Sequence, residues 1–424
     1  MGIIQFIVGS LASINNFFIM GIQKKISVSF LAFVCLAIVA CSPKVSTTVN
    51  KPVKDNKAPA KVDKPTKKFT EADVSLLIPF KLNQLNLKTA TKAQVERADM
   101  AIDFYQGVKL GIDSAAAQGL NFKLNVFDTK DDNSQLATLF KKEALKNSNL
   151  VIGPVFPEGV KYITNFAVAN DLAIVSPLAA SKPSDFNNPK LISVVNNINQ
   201  HGEKVADYIA EKYQSSNSIM VLINPKKSAD EQFAAPIRNR FKQKYPNFIV
   251  QEFTSAYAFE TRMVKGKKYA LIICSAEVSF VKPSIDKIFK LKNLKTGGYD
   301  INLFGHPNWV KQTYSIDQLQ DLNTIVSSSY KIDYKSSSVI NFIKKYRAQF
   351  NFEPSEYSFK GFDIGYYFGK LLAKHGADYL DYLTKEKYKG LHNSFEFAFS
   401  PTFGYYNTEL MLLQYKNLAL NRID

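Results

Sequence analysis

Four histidines, three cysteines and a scatter of carboxylates hold whatever acid–base, metal or nucleophilic chemistry this chain of 424 residues has. His201, His306, His375 and His392 are far apart in sequence. No pair has the i, i+4 spacing that sets two imidazoles on one helix face, and no cysteine–histidine cluster accompanies them, so no metal site is expected. The sequence has no G-x-S-x-G turn to expose a nucleophilic serine and no G-x-x-x-x-G-K-[ST] loop to cradle phosphates. Asp128, Asp131 and Asp132 have the types for a general acid and base pair. They follow a predicted strand and precede a predicted helix, however, where aspartate caps free N–H groups. The reading is therefore a protein that binds rather than an enzyme, with no cofactor.

One stretch organises the rest. Asn149–Ser181 reads NLVIGPVFPEGVKYITNFAVANDLAIVSPLAAS. Leu150–Ile152 is a short apolar run that Gly153-Pro154 stops. Val160, Ile163, Phe166 and Ala167 then recur at helical spacing, Asn170-Asp171 ends the helix, and Leu172–Val175 is a second apolar run. A strand–helix–strand unit of this length implies parallel strands and a right-handed crossover. Ligands of such sheets sit outside the carboxyl ends of the strands. Those ends are Gly153–Glu158 and Ser176–Ser181.

The length allows a large core and two domains. Net charge is +17, but the lysines are spread along the chain with no basic helix, which points to a solvated surface and not to nucleic acid. Lys24-Lys25, an apolar stretch over Ile26–Val39 and then Ile38-Val39-Ala40-Cys41 resemble a secretory signal peptide ending in a bacterial lipobox. The expected signal peptide covers residues 1–41. A start at Met20 would account for the extra apolar patch ahead of it. Cys41 is the expected lipidation site and membrane anchor, and with it lipidated Cys274 has no disulfide partner. Residues 42–73 form a Lys/Pro-rich tether. Ser42 after the cysteine, with no acidic run following, favours the periplasmic face of the outer membrane.

The folded part is expected over residues 74–424. Strands are predicted at Val74–Pro79, Phe122–Phe127, Leu191–Val195, Ser218–Ile223, Phe248–Phe253, Tyr269–Ile273, Ile301–Phe304 and Thr324–Ser327, besides the two above. Helices are predicted at Met100–Ala116, Ser134–Asn147, His201–Tyr213, Glu231–Lys244, Val281–Leu294, Ser338–Phe350 and Ser355–Leu372, with Asn196–Gln200 a loop. The alternation makes two α/β sheets in succession, each mostly parallel and flanked by helices. Phe395–Phe399 and Leu410–Tyr415 read as a hairpin joined through Pro401–Gly404.

VIGP, a helix and IVSPLAAS resemble the core of the type 1 periplasmic binding proteins, the leucine/isoleucine/valine-binding family. YSFKGFDIGYYFGKLLAKHG resembles its late helix, and FEFAFSPTFGYYNTELMLLQY its closing hairpin. FDTKDDNSQ and FGHPNWV also match in order. The resemblance implies two lobes with a ligand cleft between them. Lobe one covers residues 74–195 and 333–382, lobe two residues 200–328 and 391–424. The implied crossovers lie near Val195–Gln200, Ser329–Asp333 and Leu383–Leu391.

Family members that bind amino acids hold the carboxylate on hydroxyls at a helix N-terminus and the ammonium on an acid of lobe two. Carried over, the threonine falls on Ala180 and the acid on Pro307, so that clamp is altered throughout. The implied cleft residues are Phe156, Pro157, Glu158, Ser176, Ser181, Asn224, Ser275 and His306. The resemblance thus implies a lipid-anchored solute-binding protein of the ABC-transporter type, whose small-molecule ligand is not a plain branched-chain amino acid. The alternative is an interaction module whose partner is an envelope protein, similar to the lipoprotein activators of peptidoglycan synthases.

Overall fold

The computed structural model describes residues 69–81, 86 and 88–424. The expected signal peptide, Cys41 and most of the tether lie outside the described residues. The first strand already starts inside the expected tether, at Glu71.

The elements run β1 (Glu71–Ile78), α1 (Lys92–Ala116), β2 (Asn121–Asp128), α2 (Asn133–Leu139), α3 (Glu143–Lys146), β3 (Leu150–Ile152), α4 (Pro157–Ala169), β4 (Ile174–Ser176) and β5 (Leu191–Ser193). Then come α5 (Ile198–Lys212), β6 (Ser218–Ile223), α6 (Ser228–Lys244), β7 (Ile249–Phe253), α7 (Ala256–Glu260), β8 (Lys268–Ile273), α8 (Val278–Lys292), β9 (Asp300–Gly305), α9 (Ile316–Asp321) and β10 (Ile325–Ser328). The chain ends with α10 (Ser337–Phe350), α11 (Glu356–His375), β11 (Tyr388–Lys389), β12 (Ser394–Phe395), β13 (Phe397–Ser400), β14 (Gly404–Asn407), β15 (Met411–Lys416) and β16 (Ala419–Arg422).

Two seven-stranded sheets result, ordered β13-β14-β5-β4-β3-β1-β2 and β16-β15-β10-β9-β8-β6-β7. The first five strands of each lobe pair in parallel. Helices cover both faces, which is why β6 is apolar over almost its whole length and every residue of it is buried. In lobe one, α1 and α11 pack on one face and α2 and α4 on the other. In lobe two, α7, α8 and α9 face α5 and α6 across the sheet.

The tightest packing is between α1 and α11. Glycines recur every four residues on both: Gly107 and Gly111 on α1, Gly361, Gly365 and Gly369 on α11. A Cβ added at Gly111 would stand 2.5 Å from the Phe362 carbonyl oxygen, and one at Gly365 2.5 Å from that of Val108. Without those atoms the two backbones touch directly. Beside them Asp363, fully buried on α11, clamps the ribbon formed by β11 and β12. Its carboxylate accepts from the backbone N–H groups of Leu391 (2.8 Å), His392 (2.8 Å) and Asn393 (2.9 Å) and from the Tyr388 hydroxyl (3.0 Å).

Several details differ from the sequence expectation. The helix expected over Ser134–Asn147 is broken into α2 and α3, with Leu139 and Leu145 both buried. Six positions apart, they would point about 120° apart on one continuous helix. The break lets both reach the core. Helix α1 starts at Lys92, not Met100, because Thr91 and Gln94 form a reciprocal capping box. Asn197 and Gln200 do the same for α5, so the loop expected over Asn196–Gln200 is in part helix.

The closing hairpin is divided. The turn at Pro401–Gly404 joins β13 to β14, which extend the first sheet, whereas β15 and β16 extend the second. Gly404 makes the turn with φ of +82°, and β14 then pairs with β5 through Tyr405 and Tyr406. The chain therefore changes lobes at residues 194–197, 329–336 and 408–410. Residues 383–391, expected as a crossover, instead lead into the ribbon that Asp363 holds. Among the described residues no helix is long and apolar enough to cross a membrane.

Candidate functional site

The carboxyl ends of the strands of both sheets face a cavity of about 530 Å³. Lobe one lines it with Leu178 and Ala180 from the loop after β4 and with Lys360 from α11. Lobe two contributes Ile198 and His201 of α5, Asp230 of α6, Ala276 after β8, and His306, Pro307, Asn308, Val310 and Lys311 after β9. The crossovers supply Val195, Asn196, Ser329 and Tyr330, and the ribbon supplies Asn393.

His201 ties α5 to β10 and to the crossover that follows it. Its Nδ1 lies 3.0 Å from Ser327 Oγ and its Nε2 3.2 Å from Ser329 Oγ. Burial, helped by the neighbouring His306, pushes its pKa down to about 3. His306 Nδ1 accepts from the Asn308 N–H at 3.1 Å, capping the 3₁₀ turn Pro307–Lys311, and its ring edge meets Phe233. Burial lowers its pKa to about 4. Both imidazoles are neutral at pH 7, so they offer hydrogen bonds and no charge.

Charge enters the cavity from other residues. Glu356 holds Lys360 at 2.7 Å, with Lys311 from lobe two at 3.9 Å. Burial acts to raise the Glu356 carboxyl, but His392, Lys360 and Lys311 outweigh it and hold it well below the usual carboxylate range. Burial also lowers the Lys360 ammonium, against the pull of Glu356. Both lysines sit over the Tyr330 ring, at 5.2 and 5.6 Å, while His392 stacks on that ring at 4.3 Å. Asp230 is 5% exposed, and its Oδ2 has no hydrogen-bond partner among the described residues.

Of the eight residues implied by the sequence, His306 lines this cavity. Phe156, Pro157 and Glu158 are exposed at the start of α4. Phe156 and Glu158 border a separate cavity of lobe one, about 460 Å³, where the loop after β3 meets the start of α2. There Asp132 caps α2 through Ser134 N (2.7 Å), Asp128 accepts from Lys130 N (2.8 Å) and Asp131 pairs with Lys81. These carboxylates fix the turn, as capping requires.

Ser176 is buried in β4 and Ser181 half-buried beyond it. Asn224 is fully buried and donates to Glu231 and Glu252, both at 2.7 Å, while Arg238 binds the same two carboxylates. Ser275 is also fully buried. Its Oγ accepts from Glu277 N and its carbonyl from Trp309 Nε1. Asn224 and Ser275 thus brace the strand ends from behind. Sequence reasoning did not single out Asp230, Lys311, Tyr330 or Lys360. A lysine inside the otherwise apolar stripe of α11 was the signal available for Lys360.

No protein-family model and no curated protein matches this sequence. Solved structures do match in shape. A protein from Rhodospirillum rubrum assigned to branched-chain amino acid ABC transport superposes with a TM-score of 0.60 at 14% identity, over 84% of this chain and 99% of that one. A substrate-binding protein of an ABC transporter from Desulfitobacterium hafniense, in complex with Leu, gives 0.53 at 14%, over 83% and 100%. The C-domain of LpoA from Haemophilus influenzae, a regulator of PBP1A, gives 0.52 at 12%, over 84% and 100%. At these identities the likeness is one of fold.

Proposed function

We propose that this chain, which has the two-lobed fold of the type 1 periplasmic binding proteins, is a lipid-anchored envelope protein that captures a small ligand between its lobes for an ABC-type importer. The observation that carries the reading is the 530 Å³ cavity lined from both lobes and their crossovers. Its size is that of small-molecule sites, about 300–1,000 Å³. Mass spectrometry of molecules that co-purify with the native protein tests it directly.

The ligand is not leucine, isoleucine or valine. Ala180 and Pro307 line the cavity where the family resemblance calls for a threonine hydroxyl and an acid. Each charge-assisted hydrogen bond contributes about 1.5–3 kcal/mol, so losing both weakens binding by orders of magnitude. Isothermal titration of the ligand-stripped protein should give no dissociation constant tighter than about 10 μM for any of the three. A tighter value for one of them refutes this part.

The anchor belongs to the same reading. Cells fed a fatty-acid probe should label the wild-type protein and not Cys41→Ala, and equal labelling of the two would exclude Cys41 as the anchor. The residue after Cys41 is serine, which supports the periplasmic face of the outer membrane. The second reading, an interaction module with an envelope partner, draws on the likeness to the LpoA C-domain. It is favoured if nothing co-purifies in the cavity and a cell-wall enzyme is retained on the immobilised protein.

A further inference from the structure

The polar groups that line the inter-lobe cavity comprise a pair of lysines, a buried aspartate and several carboxamides. The two ammonium groups, Lys311 and Lys360, share one carboxylate, Glu356. Two cations against one anion leave one positive charge. The Lys360 side chain is only 15% exposed. A largely desolvated cation gains more from a second anion than a surface lysine does.

Asp230 lies on the first turn of α6. A carboxylate oxygen that is buried and receives no donor is costly to leave so. Among the described residues Asp230 Oδ2 is in that state, and Asp230 is one of the residues that line the cavity. Asn196 repeats the pattern. Its Nδ2 donates to the Asn407 carbonyl at 2.9 Å, while its buried Oδ1 has no partner among the described residues. Gln232 and Asn308 add two further carboxamides to the lining. His201 and His306 are uncharged and add no charge to the lining.

We propose that the occupant is a short linear peptide with free termini: its carboxylate at Lys311 and Lys360, its ammonium at Asp230, and its amides on the carboxamides of Asn196 and its neighbours. The assignment rests on reading the cavity as a ligand site. A peptide of two or three residues supplies one anion, one cation and intervening N–H donors, which is the set the cavity leaves unmatched. Leu178, Val195 and Ile198 complete the lining and suit apolar side chains.

The test uses the ligand-stripped mature protein and isothermal titration with trialanine and trileucine, each also as the N-acetyl and the C-terminal amide form. A free tripeptide should bind, and blocking either end should weaken it at least tenfold. Asp230→Asn should erase the preference for a free amine, and Lys360→Met the preference for a free carboxylate, with melting temperatures checked in both. Blocked and free peptides binding alike would overturn the assignment. So would the absence of peptide binding while another class of small molecule co-purifies, in which case the ligand-site reading survives. If no peptide binds and nothing co-purifies, both readings fall.

Discussion

Gly365→Val should remove more stability than any conservative change on the protein surface, by roughly 3 kcal/mol or more. A Cβ there meets the carbonyl oxygen of Val108 at 2.5 Å and that residue's Cα and carbonyl carbon at 3.1 Å. These are backbone atoms, so no rotamer change relieves the clash. Overpacking that side chains can absorb costs about 1–3 kcal/mol. Here the two helices must separate, and separation opens the cluster of Phe104, Val108, Ile112, Phe368 and Leu371. Domains are stable by only about 5–15 kcal/mol. Urea denaturation followed by circular dichroism reads the effect as a lower midpoint, with Gly365→Ala intermediate. Exposed Gly119, also glycine for its φ of +95°, has nothing near it and serves as the control: alanine there should cost only a fraction as much. A valine variant with the wild-type midpoint would mean that the helices are not in backbone contact.

The second large effect is at Asp363. Asp363→Ala strips the acceptor from three backbone N–H groups and the Tyr388 hydroxyl at once. Each buried donor left without a partner costs about 1–3 kcal/mol, so with four of them a loss of roughly 4 kcal/mol or more is expected. The residue also carries a pH signature. Burial outweighs its four donors and pushes its pKa up to about 6, above the ~4 of an unfolded aspartate. Between those values the folded chain binds the proton and the unfolded chain does not. The contribution of Asp363 is therefore fully present below about pH 4 and lost as pH rises through about 6. A rise of that size corresponds to a stability change on the order of 3 kcal/mol. Glu252, pulled down to about 2, and Glu356 act in the opposite sense, losing stability as pH falls. The stability of wild type minus that of Asp363→Asn isolates the one residue, and it should grow as pH drops from 7 to 4. A difference that is flat over that range, or that shrinks, contradicts the account.

The elements that could be read from the sequence were those whose pattern is local. β6 and β8 are apolar runs after their first residues, and the unit from Leu150 to Ser176 announces its strand, turn and helix in order. The capping boxes at Thr91–Gln94 and Asn197–Gln200 were equally legible, as a hydroxyl or amide three residues before a glutamine, and would have set both helix starts. The fate of the closing strands was not local. β13 and β15 are both short and apolar, and only the free edges of two different sheets decide which each one joins. The site suffers from the same limit. Strand-end positions were placed by counting along loops, and that count found Ala180, His306 and Pro307. Tyr330 and Asn393, or Lys311 and Glu356, meet only because the crossovers and α11 converge. Asn224 and Ser275 show the converse: polar residues at strand ends whose hydrogen bonds are already used inside the lobe.

The pairing of α1 with α11 also fixes when each half of the molecule can form. Asp103 bonds Tyr346 across 243 positions, and Asn407 bonds Val194 across 213. Lobe two holds α5 to β10 in one continuous run, whereas lobe one has its opposite helix encoded after that run. A chain emerging from its amino end exposes the glycine-lined face of α1 until some 260 further residues have appeared, a gap set by Gly107 and Gly369. Such long-range closure is slow, and it leaves apolar surface open to aggregation meanwhile. Domains ordinarily fold in the order in which they are made. In this chain the lobe whose synthesis begins first cannot close until most of the second has been made.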